Sequence, residues 1–278
     1  MASQGRSLAG MLETCVWRPD LTPMSDTDTK LPDHIEAEIK AIAQRHRKAS
    51  GGAIELINAL GGRAEGWMQR LPAPVRGGLD NATRAALERA ARAAQFSRGA
   101  VPDQPSWVNS AVGAAMGAAG GFGGTPTALA ELPVTITLLL RVIQGVAAEH
   151  GFDPAEENVQ FDCLKVFGSA GPLADDDGAE TAFVSSRLAL NGAALQGILK
   201  AVAPRLGAAL GQKIAAQSVP ILGAAAGAAI NYTYTSYYRE MAHVQFRLRA
   251  LAVEANLSEP VLLDALRAEL TDPVIKRA

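Results

Sequence analysis

The stretch GAAAGAAINYTYTSYYREMAHVQFRLRAL, residues 223–251, decides the fold. Its larger apolar residues, Ile230, Tyr234, Tyr237, Met241, Val244, Leu248 and Leu251, are spaced alternately by four and three. That spacing marks one face of a helix; a half-buried strand would alternate every second residue. Sustained over several turns it is a heptad-like seam. Upstream, Gly223, Gly227 and Asn231 are four apart and share one side of the same helix. A face stripped of Cβ atoms lets another backbone come close. The segment predicts a long helix with an apolar seam and one tightly packed end.

The same logic repeats toward the N-terminus. In WVNSAVGAAMGAAGGFGG, residues 107–124, Gly113, Gly117 and Gly121 again stand four apart. Each glycine costs a helix about 1 kcal/mol relative to alanine, so the contact it permits must offset that cost. Thr125-Pro126 predicts a fresh helix start, followed by Leu129, Leu132, Ile136, Leu139, Leu140, Ile143 and Ala147 at helical spacing and an end at Gly151. Pro154 predicts another start. Before these, Asp33 can cap a helix bearing Ile35, Ile39 and Ile42, with a break at Ser50-Gly51-Gly52. From Pro74, an apolar stripe of Val75, Leu79, Ala82, Ala86, Ala90 and Ala93 is flanked by Arg76, Arg84, Arg89, Arg92 and Arg98. Further helices are expected at about 180–202, from Pro204, and from Ser258 or Glu259.

The expected fold class is all-α: a compact multi-helix bundle of closely packed Gly/Ala-rich helices. Residues 1–32, with Pro19, Pro23 and Pro32 among polar residues, read as a mobile arm; 33–100 as N-terminal helices; 101–278 as the helical core.

Composition narrows the function classes. The 278-residue chain is 48% hydrophobic and carries a net charge of −2, without the basic excess expected of a nucleic-acid partner. Cys15 and Cys163 are the only cysteines, so a disulfide framework is not expected and a reducing compartment fits. No charged-then-apolar leader opens the sequence. Gln104–Ala130 and Ile214–Tyr238 are uncharged but broken by proline and polar residues, so neither predicts a membrane span.

Several polar residues sit in or beside apolar stripes. Arg187 shares a face with Phe183, Leu190 and Ile198, where an unpaired charge is costly. Glu131, beside the glycine-rich segment, is its expected partner and is otherwise a general base. Gln217, Asn231, Tyr232 and Tyr234 stand among Gly and Ala; they either fix helix register by hydrogen bonding or line a polar pocket. Glu240 and His243 have Glu-x-x-His spacing, and only His150 with Asp153 could extend them toward a metal centre; no metal and no cofactor is expected. Cys163 with His243 would make a nucleophile–base pair if the fold joined them.

Three blocks resemble the EcsC-like bacterial family: GFGGTPTALAELPVTITLLLRVIQGVAAEHGFDP at 121–154, FDCLKVFGSAGPL at 161–173, and KIAAQSVPILGAAAGAAINYTYTSYYREMAHVQFRLRAL at 213–251. They carry Glu131-Leu-Pro, Arg141, Cys163, Gln217, Asn231 and Ala242-His243. At its end the sequence departs from the family's Arg-Arg-Leu-Glu, having Leu248-Arg249-Ala250-Leu251. The resemblance implies an all-helical protein with a link to ABC transport or secretion, since the family is named for a transporter-associated gene. The expected function is that of a cytoplasmic accessory protein, peripheral at the inner face of the membrane, binding an apolar or lipid-like ligand. Glu131, Arg141, Arg187, Gln217, Asn231, Tyr234 and His243 are its candidate ligand-binding residues. A hydrolase built on Glu131, His243 and Cys163, and a structural scaffold, are the alternative classes.

Overall fold

A computed structural model describes residues 31–59, 73–100, 106–167, 202–204, 206–207, 210–211 and 223–271. The chain divides into two units, Met1–Pro32 and Asp33–Ala278; residues 1–30 lie outside the described residues. The second unit contains α1 (Asp33–Ala59), α2 (Ala73–Ala100), α3 (Ser106–Glu149), α4 (Glu157–Val166), α5 (Gly223–Ala255) and α6 (Glu259–Thr271). No strand occurs among the described residues, as an all-α bundle requires.

The heptad-spaced residues of α5 form its buried seam. Ile230, Tyr234, Tyr237, Met241, Leu248 and Leu251 are buried, and Val244 is partly so. A second stripe, Tyr238, Ala242 and Phe246, is also buried. The apolar arc is wide because α5 packs against α1, α3, α4 and α6.

Its most extensive partner is α3. On a straight helix, residues as far apart as 113 and 138 would be separated by roughly 37 Å. Yet a Cβ placed on Gly113 would lie 3.5 Å from Leu138 Cδ2. The helical stretch 106–149 therefore doubles back between these positions, an interval holding Gly120, Gly121, Gly123, Gly124 and Pro126. The helix start predicted at Thr125-Pro126 falls inside this helical stretch, within the interval of the reversal, and is not a separate element boundary. Beyond the reversal, Ile136, Leu139, Leu140, Ile143 and Ala147 are buried in the core, as their spacing predicts.

The glycine seam is visible at Gly113. The same Cβ would stand 2.7 Å from Thr235 Oγ1 and 3.7 Å from the Asn231 carbonyl oxygen. Asn231 Nδ2 donates to the Gly113 carbonyl at 2.9 Å, and Thr235 Oγ1 donates to the Asn231 carbonyl at 2.9 Å. Both side chains are almost fully buried. A bare backbone and a buried amide thus lock α3 to α5.

Two further predicted boundaries are corrected. Helix α1 runs through Ser50-Gly51-Gly52 to Ala59; a glycine inside a helix weakens it without ending it. Pro154 lies in a turn, and α4 begins at Glu157. On α2 the buried stripe is Leu79, Thr83, Ala86, Leu87 and Ala90, whereas Ala82 and Ala93 are exposed. Arg84 and Arg89 face solvent there. No helix among the described residues is long and apolar enough to cross a membrane.

Helices α3 and α5 end alike. Gly151 has φ 82°, with Phe152 N donating to the Ala147 carbonyl at 3.0 Å; Asn256 has φ 51°, with Leu257 N donating to Ala252 at 3.0 Å. Each is a left-handed residue just past a helix end, where glycine and asparagine are the residues that fit. The first of these stops fixes His150 at the end of α3.

Gly113→Ala is expected to lower stability by about 1–3 kcal/mol, the usual range for overpacking a tight contact. Adding Thr235→Ala removes the nearest obstructing atom and should make the double variant's loss smaller than the sum of the two single losses. Thermal or denaturant melts of the four proteins check this; strict additivity would mean that the two residues do not meet.

Candidate functional site

The polar residues of α5 occupy the arc its seam leaves over, at 232, 233, 236, 239, 240, 243 and 247. These positions recur at three and four residues, so they share one side of the helix. That side turns toward α1. Between the two helices lies an open cleft of about 470 Å³, lined by Arg45, Lys48 and Ala49 of α1 and by Tyr232, Thr233, Ser236, Tyr237, Arg239 and Glu240 of α5.

Three cations and one carboxylate line this cleft. Glu240 accepts from Arg45 Nε at 2.5 Å through one oxygen and from Arg239 Nη1 at 3.2 Å through the other. Tyr232 is 55% exposed at the cleft's edge. About two turns further along α5, Arg247 pairs with Glu38 of α1 at 3.0 Å and with Glu254 at 2.9 Å. On the α4 side, Asp162 is bonded by Arg249 and by Lys165, and the Arg249 guanidinium lies 4.5 Å from the centre of the Phe152 ring. Such an arrangement combines ion pairing with cation–π attraction.

Next to the cleft, His243 meets His150. Nδ1 of His243 and Nε2 of His150 are 3.1 Å apart, with the rings edge to face. One nitrogen must donate and the other accept, so at least one ring is neutral. Burial lowers the His243 pKa to about 4, helped by the nearby Arg45 and Arg239 charges, and Glu240 opposes them. The His150 pKa is also lowered, first by burial and then by Arg247 and Arg45, against Glu149 and Glu254. The Glu149 carboxylate is 3.7 Å from His243 Nε2, beyond hydrogen-bond reach.

The structure thus brings His150 to His243, but Glu240 turns to the arginines and Asp153 accepts from the Ala155 amide at 2.8 Å in the turn before α4. Among the described residues no group of three or more His, Cys, Asp or Glu side chains is arranged to hold a metal ion. Cys163 is completely buried in the hydrophobic core. Tyr234 is buried among Tyr237 and Tyr238, its pKa raised well above the usual tyrosine value by burial and by those neighbours. Asn231 is committed to the α3 contact, and Arg141 is partly buried on α3. Neither of these, nor Tyr234 or His243, lines the cleft. The side chain of Glu131, together with Arg187 and Gln217, lies outside the described residues. Sequence reasoning passed over Arg45, Lys48, Thr233, Ser236 and Arg239. The available signal was the polar stripe at 232, 236, 239 and 243, on the arc of α5 away from its seam.

The His243 pKa has a consequence for stability. An unfolded histidine takes up its proton near pH 6.5, and the folded one only near pH 4. Between those values the unfolded state binds more protons, so folding weakens as pH falls through that window and is unaffected above it. The loss attributable to His243 is expected to be on the order of 3 kcal/mol. Denaturant melts across the window check this against His243→Gln, which should show a shallower fall; equal slopes would refute it.

The chain matches the EcsC protein family over residues 106–251, just over half its length. Comparison with curated proteins and with solved structures finds no match. The matched segment begins at the first residue of α3 and closes within α5, enclosing the Gly113–Asn231 lock and the histidine pair. By that match, and by its all-helical fold, the chain belongs to the EcsC protein family.

Proposed function

We propose that the protein is a membrane-peripheral binding module whose α1/α5 cleft takes a lipid-like ligand with an anionic headgroup. The carrying observation is the charge of the cleft: among its described lining residues, Arg45, Lys48 and Arg239 stand against Glu240. Side chains of one sign in a concave wall attract the opposite charge more strongly than they would on open surface. Tyr232 supports the lipid part, since an exposed tyrosine has an apolar ring and a polar tip, suited to a membrane–water boundary. Val112 and Val134 on α3 add exposed apolar side chains, and Arg84 and Arg89 on α2 add exposed cations. Placement at the inner face of the membrane and a role beside an ABC transporter extend this proposal from the family's name.

The test is flotation with vesicles. The protein is expected to float with anionic vesicles, to stay behind with zwitterionic ones, and to be released by high salt. Each basic residue near an anionic surface contributes about 1 kcal/mol, so Lys48→Glu should weaken binding by roughly tenfold or more. Lys48 is exposed, so its variant should melt like the parent. A parent protein that ignores anionic vesicles would refute the reading.

A further inference from the structure

The hydroxyls of the cleft differ from three threonine hydroxyls elsewhere in the bundle. Thr137 donates to the Pro133 carbonyl at 2.7 Å, Thr235 to Asn231 at 2.9 Å, and Thr271 to Arg267 at 2.8 Å. Each thus satisfies itself on its own helix. Tyr232, Thr233 and Ser236 line the cleft, and no described residue bonds their hydroxyls. The cations are likewise only partly used. Arg45 gives Nε alone to Glu240, Arg239 gives Nη1 alone, and no described residue pairs with the Lys48 ammonium. Uncommitted hydroxyl, guanidinium and ammonium donors therefore face one open space.

We infer that the cleft's ligand carries a phosphomonoester, a refinement that rests on the anionic-headgroup reading above. Counting formal charges, the three cations less Glu240 leave a net charge of two on the described lining. A phosphomonoester near neutral pH carries about −1.5 to −2 and three terminal oxygens that accept hydrogen bonds. It matches the charge and offers these donors three acceptor oxygens. A phosphodiester carries a single charge and two such oxygens, leaving part of the charge unbalanced and donors unused. The hydroxyls supply what a diffuse basic surface lacks, namely short directed bonds to a phosphate oxygen.

Flotation with charge-matched vesicles tests this, one set containing phosphatidic acid and the other phosphatidylglycerol. Binding to phosphatidic acid is expected to be about tenfold tighter, the equivalent of one or two additional hydrogen bonds to a charged group. Ser236→Ala should remove most of that preference, weakening binding to phosphatidic acid far more than binding to phosphatidylglycerol. Equal binding to both vesicles, or a preference untouched by Ser236→Ala, would overturn the phosphomonoester and leave the membrane reading standing. If neither vesicle binds, the membrane reading fails and calorimetry with glycerol 3-phosphate decides the inference. Binding that Lys48→Glu abolishes upholds it with a water-borne ligand; no heat overturns it.

Discussion

Contact between Asn231, Thr235 and the bare backbone of Gly113 fixes how α5 is turned about its own axis. A side chain at 113 would collide with Thr235 Oγ1, so only glycine lets the helices meet at this distance. The buried amide of Asn231 then has one donor satisfied by the Gly113 carbonyl, a bond possible only at that separation. Buried polar groups must find partners, so such a bond sets register as well as proximity. With that side of α5 held to α3, the heptad seam enters the core and the remaining arc is left to face α1.

The charges on α5 follow from the same rotation. Arg45–Glu240 and Arg247–Glu38 tie α1 across the outer arc, and Arg249–Asp162 ties α4 across the opposite side. The first two pairs are substantially exposed, and exposed pairs contribute little to stability. The packing of Ile35, Ile39 and Ile42 holds α1 in place; the ion pairs orient it. Asp162 is buried, and there two cations compensate its charge, the Arg249 guanidinium also lying over the Phe152 ring.

The fold was legible in α5 because one face alternates by four and three for six turns, and all but Val244 of that series is fully buried. Tyr238, Ala242 and Phe246 were not read as a second buried stripe, since a heptad describes one partner and α5 has four. The reversal within α3 was legible as a composition change and in the start signal at Thr125-Pro126, although the stretch stays helical throughout. The break expected in α1 failed because two glycines lower helix propensity without supplying a competing structure. The candidate site was less legible: a cleft between two helices depends on their separation, which no single-chain periodicity encodes. Its α1 half, Arg45 and Lys48, looks in sequence like any solvated face.

The two ends of the outer arc handle positive charge in opposite ways. In the cleft, Arg45, Lys48 and Arg239 keep contact with water, so their charges persist at little cost. One turn away, position 243 is buried while those same guanidinia remain close enough to repel another cation. A lysine or arginine there would need a buried anion, but the Glu149 carboxylate beside it is exposed and Glu240 is already shared by two arginines. Histidine resolves the conflict because it can stay neutral, and His150, placed by the Gly151 stop, gives its ring nitrogen a partner that is itself kept neutral by burial. The wall beside the cleft thus adds no charge of its own, and the attraction felt by an approaching anion comes from the three cations of the cleft.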